Sequence, residues 1–389
     1  LPLDRIVVVG GSLAGLRAVE ALRRRGFSGR IVWIGAEASR PYDRPPLSKQ
    51  ILRGEWQPDR VLLKANYDAL EVDLRLGTRA RALDARAREV VLDGGERVPY
   101  DGLVTATGAS PRALPMASPL SGVHTLRTVE DALAIRRTLE RAPRVAVIGA
   151  GFIGLEVAAS VRALGLSATV VEAARVPLGT VLGDAVGEHV ANVHRDHGVV
   201  LRTGVGVAGF VGDGHVEGIR LEDGSTVPAD LVVVGIGVVP ETRWLEGSGV
   251  ALEGGVLCDA RSGTNVPGVV ACGDVARFDN PLFGERMRVE HWSNAVEQAN
   301  AAAARLLDGE GAPEFAPVPY FWSDQYDLKI QFAGRVAATD EFRVLEGSFE
   351  TKDLVALYGR AGRLRGVLAV NKPAALVRYR RAIADGAPF

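Results

Sequence analysis

"GAGFIGLE", residues 149–156, follows the apolar run "RVAVI" (144–148) and opens a stretch with helical periodicity. A buried strand, a glycine turn and a helix in that order begin a nucleotide-binding α/β unit. Glycine allows positive φ and close backbone approach to a pyrophosphate. The phosphate charge is met by amides at the positive end of the following helix. Gly149, Gly151 and Gly154 stand at the three fingerprint positions. Glu172 lies 18 residues beyond Gly154, at the tip of the return run "SATVVEA" (167–173). A carboxylate there accepts hydrogen bonds from a ribose.

Such a turn normally opens a domain, yet 148 residues precede this one. They begin with a second copy: the strand "RIVVVG" (5–10), a helix from Leu13 to Arg25, and the return strand "GRIVWIGAE" (29–37). Gly10, Gly15 and Glu37 are in register, while Ser12 replaces the middle glycine. Two copies, each with its strand, helix and acid, imply two dinucleotides. "TNVPGVVACGD" (264–274) separates them. A strand ending in Gly-Asp aims Asp274 at a polyol hydroxyl, which suits the ribityl chain of FAD. "TATG" (105–108) returns the chain toward the first turn, so the flavin goes to the first copy and the nicotinamide nucleotide to the second.

The expected fold class is α/β: two Rossmann-like dinucleotide-binding domains and a small C-terminal α+β domain. The FAD domain is expected over 1–112 and 242–314, the NADH domain over 113–241 and the C-terminal domain over 315–389. "LVTATGASPRALP" (103–115) reads as a strand and a Pro-rich crossover, "DLVVVGIGVVPE" (230–241) as the strand closing the second unit, and Asn294 to Leu307 as a helix. After the linker "GEGAP" (309–313) come aromatic residues and short alternating runs such as "LKIQFAG" (328–334).

Glu172 also selects the cofactor. A 2′-phosphate about 4 Å from a carboxylate is opposed by about 4 kcal/mol per charge pair at an effective dielectric of about 20. A third of that is roughly tenfold discrimination, so NADH is expected over NADPH, with Arg175 the nearby cation that works against it.

The bulk numbers exclude several classes. With 47% apolar and 24% charged residues, 389 residues make an ordinary globular protein of two or three domains. The net charge of −1 gives no pull toward nucleic acid or an acidic membrane. The longest early apolar run, Ile6 to Val9, is too short for a signal or spanning helix. Cys258 and Cys272, with 13 residues between them, form no CxxC, and a reducing, cytoplasmic location is expected.

The motifs "RPPLSK" (44–49), "GAGFIGLE" (149–156), "ACGD" (271–274), "VEHWSNAVEQA" (289–299) and "WSDQYDLKIQFAG" (322–334) together resemble the two-dinucleotide ferredoxin reductases, with a glutathione-reductase-like fold. The resemblance runs nearly end to end. It implies that Lys49 lies at the flavin N5 region and pairs with Glu156, the two forming the catalytic pair. A cation there stabilises reduced, anionic flavin, and a carboxylate keeps the cation placed. Implied FAD contacts are Gly10, Ser12, Ala14, Gly15 and Glu37, then Arg44, Lys49, Ala82 and Arg127, and finally Asp274, Trp292 and Trp322. Implied NAD contacts are Gly149, Gly151, Ile153 and Gly154, with Glu156, Glu172, Gly235 and Gly237. His291 is given no catalytic role, because hydride transfer needs alignment more than acid–base help. Thr180 stands where some relatives carry an Arg.

No cysteine lies in the helix after the first turn, and none clusters for an iron–sulfur centre. A reduced flavin without an internal relay hands its electrons outward. The expected acceptor is an acidic [2Fe–2S] ferredoxin serving an oxygenase system. Residues 355–389 hold seven basic residues against one acid, Asp385, a bias suited to steering such a partner. The rivals are an NADH oxidase, a reductase of a quinone or radical, and a non-enzymatic flavoprotein scaffold, which the balanced charge disfavours.

Overall fold

The structure, a computed structural model, describes residues 3–114, 116 and 120–389; Pro115, last residue of the expected crossover, lies outside them. Two compact units make up the chain. One comprises Leu1–Asp43, Leu62–Ser110 and Val239–Phe321, the other Arg44–Val61, Pro111–Val238 and Trp322–Phe389.

The first unit is built on a five-stranded sheet in the order Val269–Ala271, Gly102–Thr105, Arg5–Val9, Arg30–Ile34, Val72–Arg75. Every pairing in it is parallel. Ile6, Val7 and Val8 are fully buried, as are Ile31 and Trp33. That explains the unbroken apolar runs: strands covered on both faces carry no polar alternation. Helices Leu13–Arg24 and Trp292–Asp308 share one core, in which Ala299, Ala302 and Ala303 face Leu16, Val19 and Leu22. Alanine there lets helix axes approach closely. The helix read as Asn294 to Leu307 begins two residues earlier, at Trp292.

In the second unit the sheet runs Val200–Thr203, Ala168–Glu172, Val145–Ile148, Leu231–Val234, Val123–Thr125, again all parallel. The run 230–241 is two strands, Leu231–Val234 and Val238–Pro240, because Gly235 and Gly237 break it. The C-terminal sheet has the order Tyr320–Gln325, Leu328–Gly334, Arg363–Val370, Leu354–Arg360, Glu341–Gly347. Leu328–Gly334 pairs antiparallel with Arg363–Val370, and the latter with Leu354–Arg360. Helix Pro373–Ala384 closes the chain and buries Leu376 and Ile383.

The division differs from the domains expected from sequence in one respect that matters. Residues 44–61 pack in the second unit, although the sequence places them within 1–112. The cause is local: "RPPLSK" forms a 3₁₀ turn over Pro45–Ser48 whose Ser48 carbonyl accepts a hydrogen bond from Ser160 Oγ at 2.7 Å, and Arg44 donates to the Arg127 carbonyl. The region 322–389 likewise belongs to the unit that holds the Gly149–Gly154 turn.

Candidate active site

In the first unit, Gly10 has φ +135°, and a Cβ on it would stand 2.0 Å from the Ala106 carbonyl oxygen. A Cβ on Gly15 would stand 1.9 Å from the Gly10 carbonyl oxygen. That same carbonyl accepts a hydrogen bond from Trp33 Nε1 at 2.8 Å, so the turn is pinned from beneath. The protein itself therefore demands the first and third glycines. Ser12 sits at the helix N-cap with φ −120°, an extended conformation open to any residue, and its hydroxyl makes no cap bond. Gly151, the matching position of the second turn, has φ −75° and nothing within 4 Å of a built Cβ. The middle position is constrained by what binds, not by the protein, which is why serine is tolerated there.

The remaining first-unit residues include one set packed against this helix start. A Cβ on Gly273 would lie 2.9 Å from Ala14 Cβ, so Asp274 follows directly on a backbone packed against the turn. The Gly273 amide donates to Gln298 Oε1 at 3.0 Å. Gln298 Nε2 and Asn294 Oδ1 are buried without a hydrogen-bond partner in the protein. Such orphaned groups need a partner, and the polyol and ring edges of a flavin would supply them. Tyr42 donates to the Glu37 carboxylate, and the Glu37 carbonyl accepts from the Gly77 amide at 2.9 Å. Ala82 lies half-buried on strand Ala80–Asp84, a few residues beyond that tie. Trp292 is the first residue of its helix, and its Nε1 donates to Asp43 at 2.8 Å. The helix Leu13–Arg24 has no acid in its first turn, leaving its positive end uncompensated. These residues fit FAD.

The second unit carries the other turn. Gly149 has φ +99° and a Cβ there would meet the Gly235 carbonyl oxygen at 2.4 Å; on Gly154 it would meet the Gly149 oxygen at 2.1 Å. Ile153 is exposed on the first turn of helix Phe152–Ala163, and Gly237 has φ +92°. Glu172 accepts from the Ala150 amide at 2.6 Å and from the Ala174 amide at 2.8 Å. Two backbone donors on one carboxylate hold it at the rim of the turn. Arg175 pairs with Asp184, and Thr180 is exposed on the short helix Gly179–Leu182.

About one turn along the same helix, Glu156 is buried, and so is Lys49. The Lys49 ammonium donates to Glu156 Oε2 at 2.6 Å, and Ser48 Oγ donates to the same oxygen at 2.5 Å. Glu156 Oε1 accepts from Ser323 Oγ at 2.7 Å. Trp322 alternates with Ser323 along its strand, so it faces the opposite side from the carboxylate. Arg127 donates its amide to Asp131, which forms a capping box with Thr128. Ser48, Ser323, Asn294 and Gln298 all fall inside the motifs read from sequence, but only the buried hydrogen bonds single them out.

Both cysteines are reduced and buried. Burial pushes the Cys272 thiol up to about 12 and the Cys258 thiol higher still, so neither is a thiolate at neutral pH. No helix among the described residues is long and apolar enough to cross a membrane.

Residues 4–299 match the model of the pyridine nucleotide-disulphide oxidoreductase family, and residues 320–389 that of the reductase C-terminal domain. The chain is 38% identical to the ferredoxin–NAD(+) reductase component of the p-cumate 2,3-dioxygenase system of Pseudomonas putida, over 97% of this chain and 93% of that protein. It is 35% identical to putidaredoxin reductase of Pseudomonas putida, over 99% of this chain and 93% of that protein. Its fold superposes with a TM-score of 0.95 on the reductase in a covalent putidaredoxin reductase–putidaredoxin complex, at 35% identity, covering 99% of this chain and 94% of that one. FAD and NAD(H) are therefore its cofactors. The chain belongs to the pyridine nucleotide-disulphide oxidoreductase family, as an FAD-dependent member with a reductase C-terminal domain.

Proposed function

We propose that this protein is an NADH:ferredoxin reductase that supplies electrons to an oxygenase system through an acidic [2Fe–2S] ferredoxin. The observation that carries the reading is the pairing of two dinucleotide turns with thiols that are buried and protonated. In the absence of a thiol relay, electrons entering from NADH leave to an external acceptor. The relatives that match almost the whole chain are ferredoxin reductases.

When bound, FAD takes two electrons from NADH as hydride and releases them singly. The net reaction converts NADH and two oxidised ferredoxins to NAD⁺, two reduced ferredoxins and a proton. The chain contributes binding and electrostatics. Gly149, Gly151 and Gly154 admit the nicotinamide nucleotide, Glu172 takes its ribose, and Lys49 supplies the positive charge that favours the reduced flavin, held in place by Glu156. The first turn, with Gly10, Ser12 and Gly15, takes the FAD pyrophosphate, Glu37 its ribose and Asp274 its ribityl chain.

Ferredoxin acidity finds support in the basic C-terminal segment, although less than the sequence count suggests. Arg360, Lys372 and Arg381 are matched by Asp340, Asp353 and Asp385. Arg378 on the last helix, beside Val377, is an exposed cation that can meet a partner. A reducing cytoplasm suits two free cysteines.

NADH-driven cytochrome c reduction with and without added [2Fe–2S] ferredoxin tests the reading. Strong dependence on ferredoxin supports it. Equal rates without ferredoxin would transfer the function to a quinone or radical reductase, or to an NADH oxidase.

A further inference from the structure

The hydrogen bonds around Glu156 extend well beyond Lys49. Ser323 Oγ, which donates to Glu156, accepts from Gln325 Nε2 at 3.0 Å. Gln325 Oε1 lies 2.9 Å from His194 Nε2, and His194 Nδ1 lies 3.1 Å from the Tyr326 hydroxyl. Ser323, Gln325 and His194 are at most 1% exposed. Ser323 and Gln325 share one face of their strand, and His194 comes from helix Asp184–Asp196.

The direction of each bond follows from donor chemistry. A carboxylate only accepts, so Ser323 must give Glu156 its proton. The Gln325 carbonyl only accepts, so His194 carries its proton on Nε2, and its Nδ1 then accepts from Tyr326. Burial lowers the His194 imidazole to about 4, which keeps it neutral near pH 7 and preserves that tautomer. Every donor in the line points toward Glu156. An amide in the middle makes a poor proton conductor, because it would have to change tautomer to pass a proton on. Aligned donors ending on a carboxylate instead fix its rotamer.

The far end is anchored with some strain. Tyr326 has φ +55°, in the left-handed region, within the two-residue turn between strands Tyr320–Gln325 and Leu328–Gly334. Its ring stacks on His197 with centroids 3.7 Å apart. A bulky residue held in that conformation with its hydroxyl on His194 marks the contact as one the fold maintains.

We propose that Ser323, Gln325 and His194 are positioning residues: an aligned hydrogen-bond chain that fixes the Glu156 carboxylate and, through it, holds the Lys49 ammonium in place. This rests on the reading that Lys49 favours the reduced flavin.

The test uses the FAD-loaded protein. Nitrogen NMR of His194 is expected to show the Nε2–H tautomer; an Nδ1–H tautomer would reverse the chain and overturn the proposal. Ser323→Ala is expected to lower the equilibrium constant for flavin reduction on the order of tenfold, the weight of one hydrogen bond to a charged group. NADH-driven flavin reduction should slow with the Kd for NADH unchanged, and Ser323→Thr, which keeps the hydroxyl, should restore both. Gln325→Met is expected to shift the potential in the same direction, and it serves if Ser323→Ala does not retain FAD. If Lys49→Ala shifts the potential while both chain variants match wild type, this inference alone falls. If Lys49→Ala leaves the potential unchanged, the reading of Lys49 falls and takes the chain's role with it.

Discussion

The Lys49 ammonium and the Glu156 carboxylate meet at 2.6 Å with 6% and 4% of their side chains exposed. Such a pair is expensive to bury and therefore weak evidence for stability. It is retained at the second turn of the helix that follows the Gly149–Gly151 turn, and function accounts for it better than folding does. Lys49→Ala is expected to slow flavin reduction by NADH in single-turnover mixing while FAD stays bound. An unchanged rate would remove Lys49 from the site.

The same pair makes a prediction about stability. Lys49→Ala strands Glu156 as a buried charge, which costs about 3–5 kcal/mol. Replacing both partners, as in Lys49→Met with Glu156→Gln, leaves no buried charge and should recover most of that loss. Thermal melting of the two variants in the FAD-loaded state checks this. A double variant no more stable than Lys49→Ala would contradict it.

The glycines separate the two cofactors. On Gly154, an added Cβ would come within 2.1 Å of the Gly149 carbonyl oxygen. Gly154→Ala should therefore weaken NADH binding by tenfold or more, on the order of a 1–2 kcal/mol distortion, while the flavin absorbance stays full. Gly15→Ala, with its Cβ 1.9 Å from the Gly10 oxygen, should lose FAD. Ser12→Gly should alter neither, because Ser12 sits in extended backbone and its hydroxyl makes no cap bond. Flavin content and NADH titrations distinguish all three.

Much of this was legible in the sequence, for physical reasons. A parallel sheet covered on both faces needs runs such as "RIVVV" and "VAVI", and a turn closed by its own carbonyls needs glycine at Gly10, Gly15, Gly149 and Gly154. Segment 44–61 was harder to place, because Ser48 and Arg44 are tied to Ser160 and Arg127, partners far away in sequence. His194 carried no signal at all. It reads as a polar residue on the apolar side of an amphipathic helix, and only the folded chain brings it to Gln325.

Glu172 is held by the Ala150 and Ala174 amides at the rim of the second turn. Its charge should oppose a 2′-phosphate, and Arg175, engaged with Asp184, is drawn away from rescuing one. NADH is expected to exceed NADPH in kcat/KM by roughly tenfold or more. Glu172→Gln should narrow the gap mainly by improving NADPH. Equal use of the two cofactors by the wild-type protein would contradict this assignment.

His194 gives the pH prediction. Burial is the main cause that lowers its imidazole from 6.5 to about 4; the Gln325 hydrogen bond opposes the shift and His197 adds to it. A folded-state value below the unfolded one means that the unfolded chain binds the extra proton first. The stabilisation is complete above about pH 6.5 and is lost as pH falls toward and through 4. The shift corresponds to about 3 kcal/mol across that window, an upper figure for one group. His189 and His124 are also lowered by burial and add slopes of the same sign, so wild type must be compared with a variant. His194→Gln removes one titrating group and should flatten the fall in melting temperature between pH 7.5 and 5. A variant whose melting temperature falls as steeply as wild type over that range would show that the imidazole is not held neutral in the folded protein.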